Sequence, residues 1–276
     1  MNKEILKYVV STGLNATSVM AMFVFFSASL GCDDPRNIKP ESAVNNNNTE
    51  MHQRRLKGQI RPYNGDSPWN LKIGPEPVYD DSSELYVNQL EGIFGANPDM
   101  YASPVYIIDH ATPVKEVTLS GWYSNVVNDG KKLLKDRRIT VDVPIPDGAQ
   151  PAHGKDANII LCNPETGDEW GFWQAGPTGE RSWLARNGYH YNTHWDAVPP
   201  QGFVSRGAGI PYLAGLIRPW ELKRGEIRHA IAFAVNYPSF SFVYPATKSD
   251  GERPFPALPE GARLQLNPHL SDEDFN

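Results

Sequence analysis

The densest group of side chains capable of chemistry lies at residues 187–196, where tyrosine, histidine and tryptophan alternate with polar residues. We interpret this segment as a loop that can stack a sugar ring while imidazole and phenol groups offer hydrogen bonds. Such a group can also remove a proton next to a carboxylate, which begins elimination in a uronate polymer. The candidate acid–base residues are His190, Tyr191 and His194, and Arg206 is the candidate that neutralises the substrate carboxylate.

The same loop has a second interpretation, an aromatic lid without a catalytic member. The candidate sugar contacts are Trp173, Gln174 and Trp195. Side chains alternate along a strand, so Glu169 and Trp173 share one face, which would suit a concave sugar platform, while Gln174 lies on the other. A glycoside hydrolase needs a second carboxylate within about 5–10 Å, and the sequence does not identify one.

A metal site is not expected in this loop. His190 and His194 are four residues apart, a spacing that on a helix brings two imidazoles to one ion, but the segment lacks a helical pattern and the glutamate of the HExxH motif. In an extended strand the two residues would lie roughly 13 Å apart. Cys162 stands in an apolar run, which predicts a buried free thiol. We therefore predict no metal and no cofactor.

The elements that must position these residues are mostly strands. A helix is predicted to begin at a capping box formed by Asp81 and Glu84 and to end at Gly95, and a shorter helical turn is predicted between Pro219 and Gly225. The candidate strands cover residues 105–108, 115–119, 139–143, 158–162, 169–174, 182–185, 229–235, 240–244 and 263–266. With 24 prolines and 23 glycines, this pattern predicts an all-β fold, a β-sandwich or jelly roll with one N-terminal helix.

The first residues of the chain predict export. Lys3 and Lys7 precede an apolar stretch at residues 19–26, and small residues then lead to Cys32. This arrangement is typical of a signal peptide, here residues 1–31, and not of a membrane span. If Cys32 carries the lipid of a bacterial lipoprotein, the mature protein is anchored at the cell envelope, at the outer membrane or cell surface. Plain secretion is the alternative.

The remaining chain divides into a tether and one domain. Residues 32–58 are polar with few aromatics, as in a flexible linker, and residues 59–276 are long enough for a single β-sandwich domain. The formal net charge is −6, and the sequence has no basic stripe interleaved with aromatics. Nucleic acid is therefore not an expected partner.

Five segments resemble a widespread group of exported bacterial proteins. They are residues 163–175, 209–219, 225–230, 244–251 and 261–266, and the likeness extends over residues 67–268. The resemblance implies a single secreted domain and transfers no catalytic residues. Residues 189–195 depart from the group, which is richer in glycine there, so specificity in this segment would set the protein apart.

These observations lead to two hypotheses. The first is an exported carbohydrate-active enzyme that acts on an extracellular polysaccharide, by elimination on a uronate polymer and by hydrolysis otherwise. The second is a non-catalytic surface lipoprotein that binds a glycan or a partner protein, since aromatic side chains are sufficient for stacking.

Overall fold

The computed structural model describes residues 6–10, 61–74, 76–90, 103–120, 139–201, 204 and 206–266. Its strands are β1 (Leu6–Val10), β2 (Val105–Ile107), β3 (Val114–Leu119), β4 (Ile139–Pro144), β5 (Ile159–Cys162), β6 (Asp168–Trp173), β7 (Gly176–Pro177), β8 (Ser182–Ala185), β9 (Asn187–Asn192) and β10 (Arg263–Leu266). Its helices are α1 (Ser83–Asn88) and α2 (Pro219–Arg224).

Two four-stranded mixed sheets form an all-β sandwich, as predicted. The first sheet has the order β2-β5-β6-β9 and the second has the order β4-β3-β8-β7. The pairs β2/β5 and β3/β8 are parallel, and the other neighbours are antiparallel. The strands β1 and β10 form a separate antiparallel pair.

The main core lies between the two sheets. Alternate side chains of the central strands face inward and are almost completely buried: Val117, Leu119, Val143, Ile159, Leu161, Trp170, Phe172 and Trp183. Burial of each large apolar side chain stabilises the fold by about 1.5–3 kcal/mol relative to exposure. The alternation read from the sequence therefore holds for β5 and β6.

A second core covers the opposite face of the first sheet. Ile160, Tyr189 and Tyr191 point to this side, where residues 61–74 and 204–232 pack over them. Cys162 also lies here as a buried free thiol, and burial, with lesser contributions from nearby carboxylates, raises its pKa to about 12. This confirms the prediction for the cysteine.

Two glycines allow the aromatic rings of β6 and β9 to lie flat against the sheet. In the register of these strands Gly171 pairs with Tyr189, and Phe172 pairs with Gly188. A Cβ atom on Gly171 would collide with the Tyr189 ring, and one on Gly188 would collide with the Phe172 ring. Each glycine therefore provides the space for the aromatic ring opposite it.

The two helices differ in how well the sequence predicts them. Helix α2 begins at Pro219 and is closed after Arg224 by Gly225, its left-handed C-cap with a φ of 74°, as predicted. Helix α1 ends at Asn88, and its start is fixed by Asp80, whose carboxylate accepts the Ser82 N–H at 2.8 Å. The predicted capping box is therefore wrong for α1, and Gly95 lies outside the described residues.

Three strand assignments were wrong. Residues 229–235 are extended but form no strand, because Ala230 and Ala232 donate to isolated loop carbonyls and not to a continuous partner strand. Residues 240–244 form only a single bridge, between Phe242 and Glu260. Conversely, residues 187–192, which the sequence suggested were a loop, are the edge strand β9.

The predicted leader and tether are only partly described. The strand β1 falls within the predicted signal peptide and pairs with β10. Removal of that leader would therefore leave β10 without its paired strand. Cys32 and the tether at residues 32–58 lie outside the described residues. In the described part of the chain, no helix is long and apolar enough to cross a membrane.

Candidate functional site

A tight turn after β9 carries the most exposed tryptophan among the described residues. Trp195 donates its N–H to the Asn192 carbonyl (3.1 Å), and its own carbonyl accepts the Asn64 N–H (2.9 Å). Thr193 is held from two sides, since its carbonyl accepts the Tyr63 N–H (2.6 Å) and its N–H donates to the Gly167 carbonyl (2.7 Å). These bonds fix the turn against two neighbouring segments.

The Trp195 ring stands on a buried tyrosine. Trp195 is 55% exposed, and its ring meets Tyr191 edge to face, with centroids 4.9 Å apart and planes at 89°. The Tyr191 hydroxyl donates to Asp196 Oδ1 at 3.2 Å, and the Val198 N–H donates to the same oxygen at 2.9 Å. Burial, and then the nearby Asp196 carboxylate, raise the pKa of Tyr191. This phenol therefore remains protonated at neutral pH and is a poor general base.

A second exposed ring belongs to Tyr244, from a distant segment of the chain. Tyr244 is 50% exposed, and its pKa is raised by partial burial and by the charge of Asp196. We call Trp195, Asp196 and Tyr244 together the Trp195 surface. It combines two accessible aromatic rings with an exposed carboxylate.

A buried carboxylate lies beneath this surface. Glu169 is completely buried; its Oε1 accepts the Tyr189 hydroxyl (2.6 Å) and the Leu213 N–H (3.1 Å), and its Oε2 accepts the Tyr63 hydroxyl (2.7 Å). Burial raises the pKa of Glu169, while these donors and Arg206 oppose the rise. A sugar platform on this face is therefore wrong, because no ligand in solvent can reach Glu169.

The four predicted catalytic residues, three acid–base candidates and Arg206, are not brought to one point. His190 and Tyr191 lie on opposite faces of the first sheet: His190 stacks on Trp170 with centroids 4.0 Å apart, and its Nε2 lies 2.8 Å from an Asp168 oxygen. His194 is exposed in the turn. Arg206 donates to the Ala214 carbonyl (3.1 Å) and lies over Tyr212 in the second core.

The predicted sugar contacts are also separated. Trp173 is at the end of β6 that pairs with Asn187, whereas Trp195 follows Asn192 at the other end of β9. Five residues along a strand correspond to roughly 17 Å, so the two tryptophans start from opposite ends of the β6/β9 pair. Trp173 and Gln174 both bond to Asp156, Trp173 through its indole N–H (3.0 Å) and Gln174 through its backbone N–H (2.7 Å).

A buried ion pair lies at the start of α2. His229 is buried and pairs with Glu221 (3.0 Å), whereas Glu226 is exposed and pairs with Arg228 (2.7 Å). Burial alone would raise the pKa of Glu221, but hydrogen bonds from His229 and Arg218 lower it to about 2. The sequence does not show which glutamate is the partner of His229, because Glu226 and Glu221 both precede it closely, by three and eight residues.

A second group of titratable side chains surrounds residues 248–260. Glu260 is half-buried and accepts the Asp250 N–H at 3.2 Å. Burial and the Asp250 carboxylate raise the pKa of Glu260 to about 7, and burial lowers the pKa of the nearby Lys248. Sequence reasoning missed Glu260 because its neighbours come from a segment ten residues away.

Within the described ranges, no group of three or more His, Cys, Asp or Glu side chains is arranged to hold a metal ion. No protein-family model, curated protein or solved structure matches the chain. The site is therefore interpreted from its own geometry.

Proposed function

We propose that this protein is an exported glycan-binding protein of the cell envelope, which holds sugar rings on the Trp195 surface. The observation that carries the proposal is the exposure of Trp195 on a turn fixed by hydrogen bonds. A planar indole covers the apolar face of a sugar ring, and a carboxylate beside it accepts sugar hydroxyl groups. Tyr244 adds a second exposed ring that is close enough to Asp196 for the charge of that carboxylate to raise the phenol pKa.

The rigidity of the turn supports binding. Association costs free energy for each side chain and loop that must be ordered. The turn is already held by backbone bonds to Tyr63, Asn64 and Gly167, and the Trp195 ring is braced by Tyr191. Little further ordering is then required when a ligand binds.

Binding is favoured over catalysis by the positions of the candidate catalytic groups. A general base must come within hydrogen-bond reach of the proton that it removes. His190 already faces Asp168, Tyr191 faces Asp196, and Arg206 is engaged in the second core. Turnover of a polysaccharide, by elimination or hydrolysis, remains the alternative hypothesis.

A binding experiment on the purified protein tests the proposal. We expect binding to at least one member of a polysaccharide panel, and we expect Trp195→Ala to weaken that binding by about tenfold or more, the loss of about 1.4 kcal/mol. The matched control is Phe255→Ala, which removes an exposed ring that packs against Tyr86 of α1. Equal losses in the two variants would contradict the assignment of the site.

The same samples distinguish binding from catalysis. Reducing ends report hydrolysis or elimination, and the ultraviolet absorbance of unsaturated uronates reports elimination alone. We expect no products with any glycan that binds. Products that disappear in His190→Ala or His194→Ala would establish the enzymatic hypothesis in place of the binding one.

We further propose that Cys32 anchors the protein to the envelope through an attached lipid. Cys32→Ala is expected to move the protein from the membrane fraction to a soluble or unprocessed form. Cys162→Ala is the matched control, since Cys162 is buried in the folded domain. Unchanged membrane association of the Cys32 variant would contradict the anchor.

A further inference from the structure

The carboxylate of the Trp195 surface is not neutralised by a basic side chain. Asp196 is exposed, and its Oδ1 accepts two hydrogen bonds, from Tyr191 and Val198. In the described part of the chain its Oδ2 accepts none, and no Lys, Arg or His nitrogen lies within ion-pair distance of it. One oxygen of a charged group therefore faces solvent beside the exposed Trp195 ring.

The rings beside this charge attract cations. The face of an indole or a phenol is electrically negative, so an ammonium group within about 6 Å of the ring centre is stabilised, most strongly by tryptophan. Trp195 and Tyr244 offer such faces, and Asp196 adds a full negative charge close to both. A ligand carboxylate would meet repulsion from Asp196 at the same place.

The basic groups nearby do not reverse this charge. Arg263 lies near Tyr244, where it slightly lowers the phenol pKa, but it is half-buried and has its own contacts within the fold. Arg206 is directed toward the Ala214 carbonyl and Tyr212. His194 is exposed in the turn beside Trp195 and is a further side chain that would compete with a cation when protonated.

We propose that the Trp195 surface selects glycans that carry free amino groups, with the ammonium placed against the Trp195 and Tyr244 rings and the Asp196 carboxylate. This inference rests on the proposed glycan-binding function and specifies its ligand. It favours polymers of amino sugars over the uronate polymers considered from the sequence. Neutral sugars bind the same rings without the contribution of the charge.

Two oligosaccharides that differ only at nitrogen provide the test. A glucosamine oligosaccharide and its fully N-acetylated counterpart of the same length are titrated into the full-length protein at about pH 6, where most sugar amines are protonated. We expect the amino form to bind about tenfold more tightly. In about 1 M salt, where the Debye length is about 3 Å, we expect the difference to shrink to about threefold or less.

The variant Asp196→Asn identifies the source of the preference. It keeps an oxygen for Tyr191 and Val198 and removes the charge, so we expect the preference for the amino form over the N-acetylated form to fall below about threefold. His194→Gln is a matched control in the same turn and should retain or increase the preference. A thermal melt of each variant verifies that it is folded.

The outcomes separate the two proposals. Equal binding of the two oligosaccharides, or tighter binding of a galacturonate oligosaccharide, would overturn this inference and leave glycan binding intact. A preference that persists in Asp196→Asn would also overturn it. Absence of binding to these and to every other glycan of the panel would overturn the proposed function itself.

Discussion

Two carboxylates on one side of the first sheet are bound by tyrosines only two residues apart on β9. Glu169 accepts the hydroxyl of Tyr189, and Asp196 accepts the hydroxyl of Tyr191. Glu169 is completely buried with donors on both oxygens, whereas Asp196 is exposed and keeps one oxygen for solvent. The same type of contact therefore occurs once in the interior and once at the surface.

This difference assigns separate roles to the two groups. A buried charged group whose donors are removed leaves a large desolvation penalty, so Glu169 is expected to hold the second core together. An exposed carboxylate is solvated whether or not its neighbour is present, so Asp196 contributes little to folding and is free to contact a ligand. Stability measurements on matched variants test this assignment.

The largest effect is expected for Glu169→Ala. The substitution leaves the Tyr63 and Tyr189 hydroxyls and the Leu213 N–H buried without an acceptor, which costs about 3–5 kcal/mol in the free energy of unfolding. Chemical denaturation measures this loss. The control is Glu226→Ala, which removes an exposed glutamate and should leave the free energy of unfolding nearly unchanged.

A loss below about 1 kcal/mol for Glu169→Ala would mean that water replaces the carboxylate in the core. Glu169 would then contribute no more to folding than the exposed Asp196 does.

The next effect compares two identical substitutions on one strand. Tyr189→Phe removes a donor to Glu169 and the acceptor of the Tyr212 N–H (2.6 Å), and it should cost about 1–3 kcal/mol. Tyr191→Phe removes the bond to exposed Asp196 and a contact with the Ala197 backbone, and it should cost less than about 1 kcal/mol. Denaturation curves of the two variants, measured together, compare the two losses of stability. Equal losses would contradict the assigned roles.

The sequence predicted the sandwich because its signals are local. The alternation of faces along residues 169–173 and the Pro219 and Gly225 boundaries each specify structure over a few residues. Residues 229–235 carry the same alternation and are no strand, since a strand also requires a partner, which comes from elsewhere in the chain.

The site was predicted only in part for the same reason. The aromatic segment at residues 187–196 was identified, but the sequence could not show that Tyr191 is buried and Trp195 exposed. Tyr63 and Tyr244 escaped prediction because they reach the site from distant segments. Tertiary contacts, which place Glu169 in the core and Asp196 outside it, are not encoded in local spacing.

Glu260 is an intermediate case between the two carboxylates, and it predicts a pH dependence. Its pKa is raised from 4.5 to about 7 by burial and by Asp250, so the folded state holds its proton more tightly than the unfolded state. Stability from this group is complete below about pH 4.5 and falls as the pH rises toward about 7. We expect a decrease on the order of 1 kcal/mol, because solvent screens a half-buried charge.

Denaturation between about pH 4.5 and 8 measures this slope in the wild type and in Glu260→Gln. The variant cannot ionise at this position, so its stability should vary less with pH over the same window. An unchanged slope in the variant would assign the pH dependence to other groups.

The smallest effect is expected for Asp196→Asn. Asparagine keeps one side-chain oxygen, which can still accept the Tyr191 hydroxyl and the Val198 N–H, and its amide replaces an oxygen that already faces solvent. The free energy of unfolding should therefore change by less than about 0.5 kcal/mol, as for most surface substitutions. Denaturation of Asp196→Asn beside the wild type checks this value. A loss above about 1 kcal/mol would show that the charge of Asp196 stabilises the turn, and any effect of this variant on ligand binding would then have to be separated from a change in the position of Trp195.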